Sequence, residues 1–288
     1  MGRLTQKALE RLRDRTFRRL PHLRVKGERT ALRFIEQVGF CFAFSPFGYD
    51  LPCLWAAIVG KRHPAFPDDP YHDPAIGLTW ELKDRLPSKR LVYYGRLLKG
   101  KPTLVSLRYF PFFFALIRGE KGSGDYLADY RAGFLSRPAK TILDILHDEG
   151  PLDTPELRAK AGLRSPERTH EYERTMADLQ RRLWIVKISE RYEPTFSFRW
   201  DLVDNWLEKE VKIGRRIPRE EAIVQIIQQY LSTVLYTTTG RIARLFDLPL
   251  SEVSRVVEHL SDRGIALPDQ VIQGLKGRWL VHHTPTRK

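Results

Sequence analysis

Between residues 135 and 288 the apolar positions of the chain fall into the same order twice. In the first pass, Ile142, Leu143, Ile145 and Leu146 fill a helical stretch from Thr141 to His147. Gly150-Pro151-Leu152-Asp153 reads as a turn. Asp153 or Thr154 stands ready to cap a helix from Pro155 to Ala161, where proline suits the first turn. After Gly162 to Pro166, Tyr172, Met176, Leu179 and Leu183 recur at i, i+4, i+7 and i+11 on one helical face. Arg168, Thr169, Arg174, Asp178 and Arg181 fall away from that face. WIVKIS and TFSFRW, joined by ERYEP, then give two strand-like runs from Trp184 to Trp200. Three helices followed by a hairpin is the order of a winged helix.

In the second pass Ile223, Ile226, Ile227, Tyr230 and Leu231 form a stripe, and Thr238 or Thr239 caps a helix carrying Ile242, Ala243 and Phe246. Asp247-Leu248-Pro249 makes the turn. The next helix, Ser251 to Arg263, turns Val253, Val256, Val257 and Leu260 inward and stops at Gly264. Its outward positions are Ser251, Ser254, Arg255, Glu258 and His259, the face that reaches the major groove in helix-turn-helix units. VIQGLKGRWLVH supplies a second wing with Lys276-Gly277-Arg278 at its tip.

The first half is less regular. Leu4, Ala8 and Leu12, with Arg15 and Arg19, give part of a helical period ending near Pro21. Leu32, Ile35 and Val38 face inward from a helix over Thr30 to Val38, with Gly39 as its stop. Leu51, Leu54, Trp55 and Ile58 predict a helix over Leu51 to Val59, and Trp80 to Leu86 another. Leu91 to Tyr94 and Thr103 to Leu107 alternate as a hairpin whose tip carries Lys99 and Lys101, both suited to phosphate. Arg108 to Arg118 is an aromatic helix. Its rings with those of Tyr93 and Tyr94 could stack on bases, although such a density of aromatics is usually core. GEKGSG, from Gly119 to Gly124, marks a boundary.

Charge narrows the partner. The formal net charge is +14 and the isoelectric point about 9.9. Ten Lys and Arg against three acids stand in residues 1–29, half of the excess. That balance points to a polyanion, DNA or RNA before an anionic membrane. The N-terminal segment reads either as a basic arm on phosphates or as a solvated helix. Cys41 and Cys53 lack zinc spacing and imply no disulfide scaffold. His63, Asp68, Asp69, His72 and Asp73 lie in one loop but at spacings that match no ligand motif, so neither metal nor cofactor is expected. No apolar run is long enough to span a bilayer, no signal core opens the chain, and a cytoplasmic, monomeric protein is expected.

The segment Leu32 to Pro46, in which a helix runs into VGFxxxFxP, and the strand–turn–strand of Arg90 to Leu107 resemble the AlkZ/YcaQ-like winged-helix superfamily of bacterial DNA glycosylases. The block Trp80 to Pro87, Arg90 to Gly95 and Leu152 to Leu163 look closer to a compact AlkZ-related subgroup. The resemblance implies three winged-helix units and the excision of alkylated or crosslinked bases. It also implies a Gln-x-Gln or Gln-x-Asp element after the first helix, which orients or activates water at the sugar. Here those positions are Phe42 and Phe44, and a phenyl ring can do no general-base work. Gln37 precedes Gly39, inside the helix. The resemblance further implies a C-terminal barrel-like region, for which little sequence follows the last wing.

These observations predict a mainly helical α+β protein of tandem winged helix-turn-helix units. Its expected divisions are 1–29 as a basic arm, then winged-helix domains at 30–133, 134–210 and 211–288. The expected function is DNA binding, linked to repair, without the glycosylase chemistry. Arg168, Arg174, Ser251, Ser254, Arg255, His259, Lys276, Arg278, Lys99 and Lys101 are the candidate DNA contacts. A diverged glycosylase is the alternative, drawing on Glu81, Lys83, Asp84 or Asp50, with Trp80, Phe42 and Phe44 walling a base pocket. A protein-binding adaptor is the third possibility.

Overall fold

A computed structural model describes residues 4–44, 48–119 and 125–283. Helix α1, Gln6–Thr16, begins where the Thr5 hydroxyl accepts the amide of Ala8 at 3.2 Å. Its inward residues are Leu9 and Arg13, followed by Phe17, while Leu12 is 45% exposed. The buried ladder is thus one position off the expected Leu4–Ala8–Leu12. Arg13 is the cause. Its guanidinium donates to the carbonyls of Val234 and, at 2.6 Å, Tyr236, pairs with Glu10 at 2.9 Å, and lies 3.7 Å over the Tyr236 ring. A cation can hold an inward position when its N–H groups are bonded in this way.

Helix α2, Glu28–Val38, buries Ala31, Phe34, Ile35 and Val38 and ends at Gly39, whose φ of 78° is left-handed. Strand β1, Phe40–Phe42, is buried throughout. Helix α3, Leu54–Val59, starts three residues later than the pattern predicts, because Cys53 is extended and its Sγ accepts the amide of Ala56 at 3.3 Å. Helix α4 is Pro74–Ser88. The Asp73 carboxylate accepts the amides of Ala75 and Ile76 at 2.9 and 2.8 Å, so it caps α4. Asp69 accepts from its neighbour His72 at an exposed turn. Among the described residues no group of three metal-ligating side chains comes together.

Strands β2, Val92–Arg96, and β3, Pro102–Ser106, form an antiparallel hairpin with Val92 opposite Ser106. Lys99 and Gly100 turn it with φ of 51° and 66°. Helix α5, Phe110–Arg118, and β2 place Tyr93, Tyr109, Phe110, Phe113 and Phe114 inside, so most of that aromatic run is core. Beyond Gly119 the expected boundary falls outside the described residues. A short helix that the pattern did not predict, α6, covers Tyr126–Arg131 and buries no side chain fully.

The first predicted repeat is a winged helix. It runs through α7 (Arg137–Glu149), β4 (Leu152–Asp153), α8 (Thr154–Lys160), α9 (Thr169–Arg181), β5 (Ile185–Arg191) and β6 (Ser197–Leu202). Its sheet order is β4-β6-β5, and Ile142, Leu146, Leu157, Leu179 and Trp200 share its core. Neither expected cap serves α8. Asp153 pairs with Arg191 at 2.6 Å, and the Thr154 hydroxyl bonds the Phe198 carbonyl and the Trp200 indole. Helices α10 (Val203–Trp206) and α11 (Glu208–Gly214) follow, α11 packing on α5.

The second repeat is built from α12 (Arg219–Val234), β7 (Tyr236–Thr237), α13 (Thr239–Phe246), α14 (Leu250–Asp262), β8 (Ala266–Gln270) and β9 (Trp279–His282). Its sheet order is β7-β9-β8. The chain divides into two compact units. One joins the residues up to Leu82 with those from Ile223 onward; the other is Lys83–Ala222. The fold is α+β, mainly helical, with tandem winged helices. No described helix is long and apolar enough to cross a membrane.

Candidate nucleic-acid interface

In the last winged helix, Thr238 caps α13 and Asp247, at φ 60°, ends it. Leu248 and Pro249 then turn the chain into α14. Val253, Val256, Val257 and Leu260 are buried, which fixes the roll of α14 and leaves Ser251, Arg255, Glu258 and His259 exposed with Ser254 half-buried. The predicted outward face is therefore the observed one. Arg255 can form paired bonds to a guanine edge, and the serines suit phosphate or base edges. On the wing, Lys276 and Arg278 flank Gly277, which has φ 87°. Both cations are exposed, and Arg278 is steadied by donating to the Asp269 carbonyl at 3.1 Å.

The segment from Val38 to Trp55 lies in the same unit, and its described aromatic residues pack inward. Phe42 is wholly buried, its amide donates to the Pro52 carbonyl at 3.0 Å, and its ring meets Tyr49. Phe40 sets its ring edge-on to Phe246 of α13. Phe44 is half-buried. Asp50 accepts from Arg241 at 3.0 and 3.2 Å, and the Gln37 side chain accepts from Arg18 at 2.7 Å. Asp50 and Gln37 thus each have a cationic partner.

The other unit gathers charges that are distant in sequence. Lys83 and Asp84 of α4 bond each other at 2.6 Å, and Asp84 accepts from Lys187 of β5 at 2.6 Å. Lys187 also donates to Glu190 at 2.6 Å, and Tyr192 donates to Glu190 at 2.9 Å. Burial works against ionisation of Glu190, yet the hydrogen bond and charge of Lys187, with Tyr192 and Lys83, hold its carboxyl below the usual value. Burial, and then the charges of Asp84 and Glu190, push the Tyr94 phenol up. Lys83 and Lys187 border a cavity of about 510 Å³, walled by Tyr94, Tyr172, Phe198 and Trp200. Lys187 and Glu190 were not singled out from sequence. The available signal was a lysine inside the apolar run WIVKIS, since a buried lysine needs partners.

Glu81 is exposed on α4, and Trp80 is 37% exposed against Tyr71. Arg168 is exposed but committed to Glu171 at 2.8 Å and the Gly162 carbonyl at 2.7 Å. Arg174 lines a second depression of about 500 Å³ together with Arg96, Gly100 and Arg181, which brings it beside the Lys99–Lys101 tip. Lys101 is exposed.

Tandem winged helices, one of them with Ser251, Arg255 and His259 exposed on α14 and Lys276 and Arg278 exposed on its wing, define a winged-helix protein. The family model described as "AlkZ related" matches residues 25–247, and the chain belongs to that family. Its fold is similar to that of the Streptomyces sahachiroi DNA glycosylase AlkZ, with a TM-score of 0.61 and 15% identity over 98% of this chain and 70% of that chain. No curated protein matches the sequence.

Proposed function

We propose that this protein binds double-stranded DNA in a repair setting and does not carry out glycosylase chemistry through the positions used in its relatives. The observation that carries the reading is α14, where four buried residues aim Ser251, Ser254, Arg255 and His259 outward, with Lys276 and Arg278 exposed on the wing of the same unit. Family membership and the fold shared with a DNA glycosylase support the same partner. The protein acts as a cytoplasmic monomer of three winged-helix domains, 30–133, 134–210 and 211–288, preceded by the basic segment 1–29. Phe42 and Phe44 supply neither proton acceptor nor water ligand. Electrophoretic binding and base-excision assays on one set of intact, alkylated and crosslinked duplexes test this. Binding that weakens with salt, without abasic-site formation, is the expected result. No binding to any duplex at low salt overturns it.

A second reading is favoured by Asp84, a carboxylate held by two lysines, of which Lys83 and Lys187 both border the 510 Å³ cavity. In that reading the protein is a diverged glycosylase. It requires abasic sites on alkylated or crosslinked DNA that vanish in Asp84→Asn.

A further inference from the structure

We propose that the second winged helix (residues 137–202) carries a site for unpaired nucleotides of a DNA strand, distinct from the duplex face on α14. The proposal rests on the reading of the protein as a DNA binder. Strand β6 alternates, so Phe198 and Trp200 share one of its faces, and Phe196 stands just before the strand. Their rings form a continuous ladder with Tyr192. Centroids are 5.6 Å apart for Tyr192–Phe196, 5.1 Å for Phe196–Phe198 and 5.9 Å for Phe198–Trp200. The outer rungs are open to solvent, Tyr192 at 69% and Phe196 at 56% exposure. Large rings at a hairpin tip that stay mostly exposed contribute little to the fold alone. The Tyr192 hydroxyl is tied to Glu190 at 2.9 Å, which steadies the ring while its faces stay accessible.

The inner rungs lead somewhere. Phe198 and Trp200 wall the 510 Å³ cavity, and Tyr94 and Tyr172 close it. That volume lies in the range of small-molecule pockets. Two guanidinium groups reach its lining, those of Arg96, which is exposed, and Arg158. Arg158 is fixed by donating to the Leu163 carbonyl and the Thr169 hydroxyl, and sits 5.4 Å over the Tyr172 ring. Glu173 is the acid of the lining. Flat aromatic walls beside fixed cations suit a base with its phosphate, and aromatic rungs that continue outside suit the next bases of the strand. A duplex cannot present its bases this way, because they are stacked and paired. Stacking tolerates every base, so the site has little sequence preference.

The test uses the full chain, a short fluorescent oligothymidylate and a duplex of equal length, both at low salt. Tyr192→Ala/Phe196→Ala removes two exposed rings and leaves the core intact. Its single-strand affinity is expected to fall on the order of tenfold or more, with duplex affinity unchanged. An oligonucleotide carrying 5-bromouracil, irradiated in the complex, is expected to crosslink within 192–200 or at Tyr94 or Tyr172. Equal single-strand affinity in the variant, or crosslinks confined to α14, overturns the proposal. So does free thymidine monophosphate competing as well as the strand, which would make the cavity a single-nucleotide site. Duplex binding without single-strand binding overturns this inference and leaves the duplex reading standing. Binding to neither overturns both.

Discussion

At position 42 the side chain is enclosed on every side, and that decides what a substitution there can do. Introducing the family's polar residue as Phe42→Gln deletes a ring with no exposed surface and buries an amide. Losing the ring alone costs about 3–5 kcal/mol, and an amide without partners adds to it. Thermal unfolding should show a midpoint lowered by many degrees. An unchanged midpoint would mean that position 42 is open enough to hold water. Gly95 is constrained in a different way. A Cβ there would stand 2.2 Å from the Tyr93 hydroxyl and 2.8 Å from Cζ. Tyr93 is fully buried, and among the described residues its hydroxyl has no hydrogen-bond partner. Gly95→Ala should therefore destabilise by on the order of 1–3 kcal/mol. Tyr93→Phe, which removes the obstructing oxygen, should recover part of that loss in the double variant. Calorimetry of the two single variants and the double measures the coupling, and strict additivity would refute the clash.

Helix α1 shows why some elements were legible and others were not. The helices of the last winged helix are legible in the sequence because their cores are local, with Val253, Val256, Val257 and Leu260 repeating on one face. Helix α1 was placed, but its inward face was not, because Arg13 occupies a buried position that hydropathy assigns to solvent. Helix α6 gave no signal since it buries no side chain fully. The Asp84–Lys187 pair spans 103 positions, a separation that periodicity does not reach. Arg13→Met should leave the Val234 and Tyr236 carbonyls without their donor and Glu10 without its cation. A loss of about 3 kcal/mol is expected, seen as a lower urea midpoint at unchanged slope. Strand β5 predicts a pH effect. Glu190 titrates below its usual value of 4.5, so its contribution to stability is complete above that value. It is lost as pH falls through the lower folded-state value. Glu190→Gln should flatten the acid limb of the urea-midpoint profile, and an unaltered limb would exclude the Lys187–Glu190 pair as its source.

For the whole molecule, the +14 surplus overstates what DNA can use. Three of the ten cations in residues 1–29 are engaged within the protein. Arg13 bonds carbonyls and Glu10, Arg18 bonds Gln37, and Arg19 lies 3.7 Å from Glu10, whose neighbour Asp14 is held by Arg62. These cations already have partners, so they release few counterions from a duplex. The salt dependence of duplex affinity should consequently be shallower than one phosphate per surplus charge would give. Each phosphate neutralised contributes about 0.9 to the slope of log K against log salt. Lys276 and Arg278 are exposed on the wing, and if each meets one phosphate, Lys276→Ala/Arg278→Ala reduces the slope by about 1.8. Arg255→Ala, on the outward face of α14, should instead weaken binding to a preferred sequence more than binding to random duplex. Titrations at several salt concentrations separate these effects. A wing variant with the wild-type slope would remove Lys276 and Arg278 from the interface, and an Arg255→Ala loss equal across all sequences would make that arginine a phosphate contact.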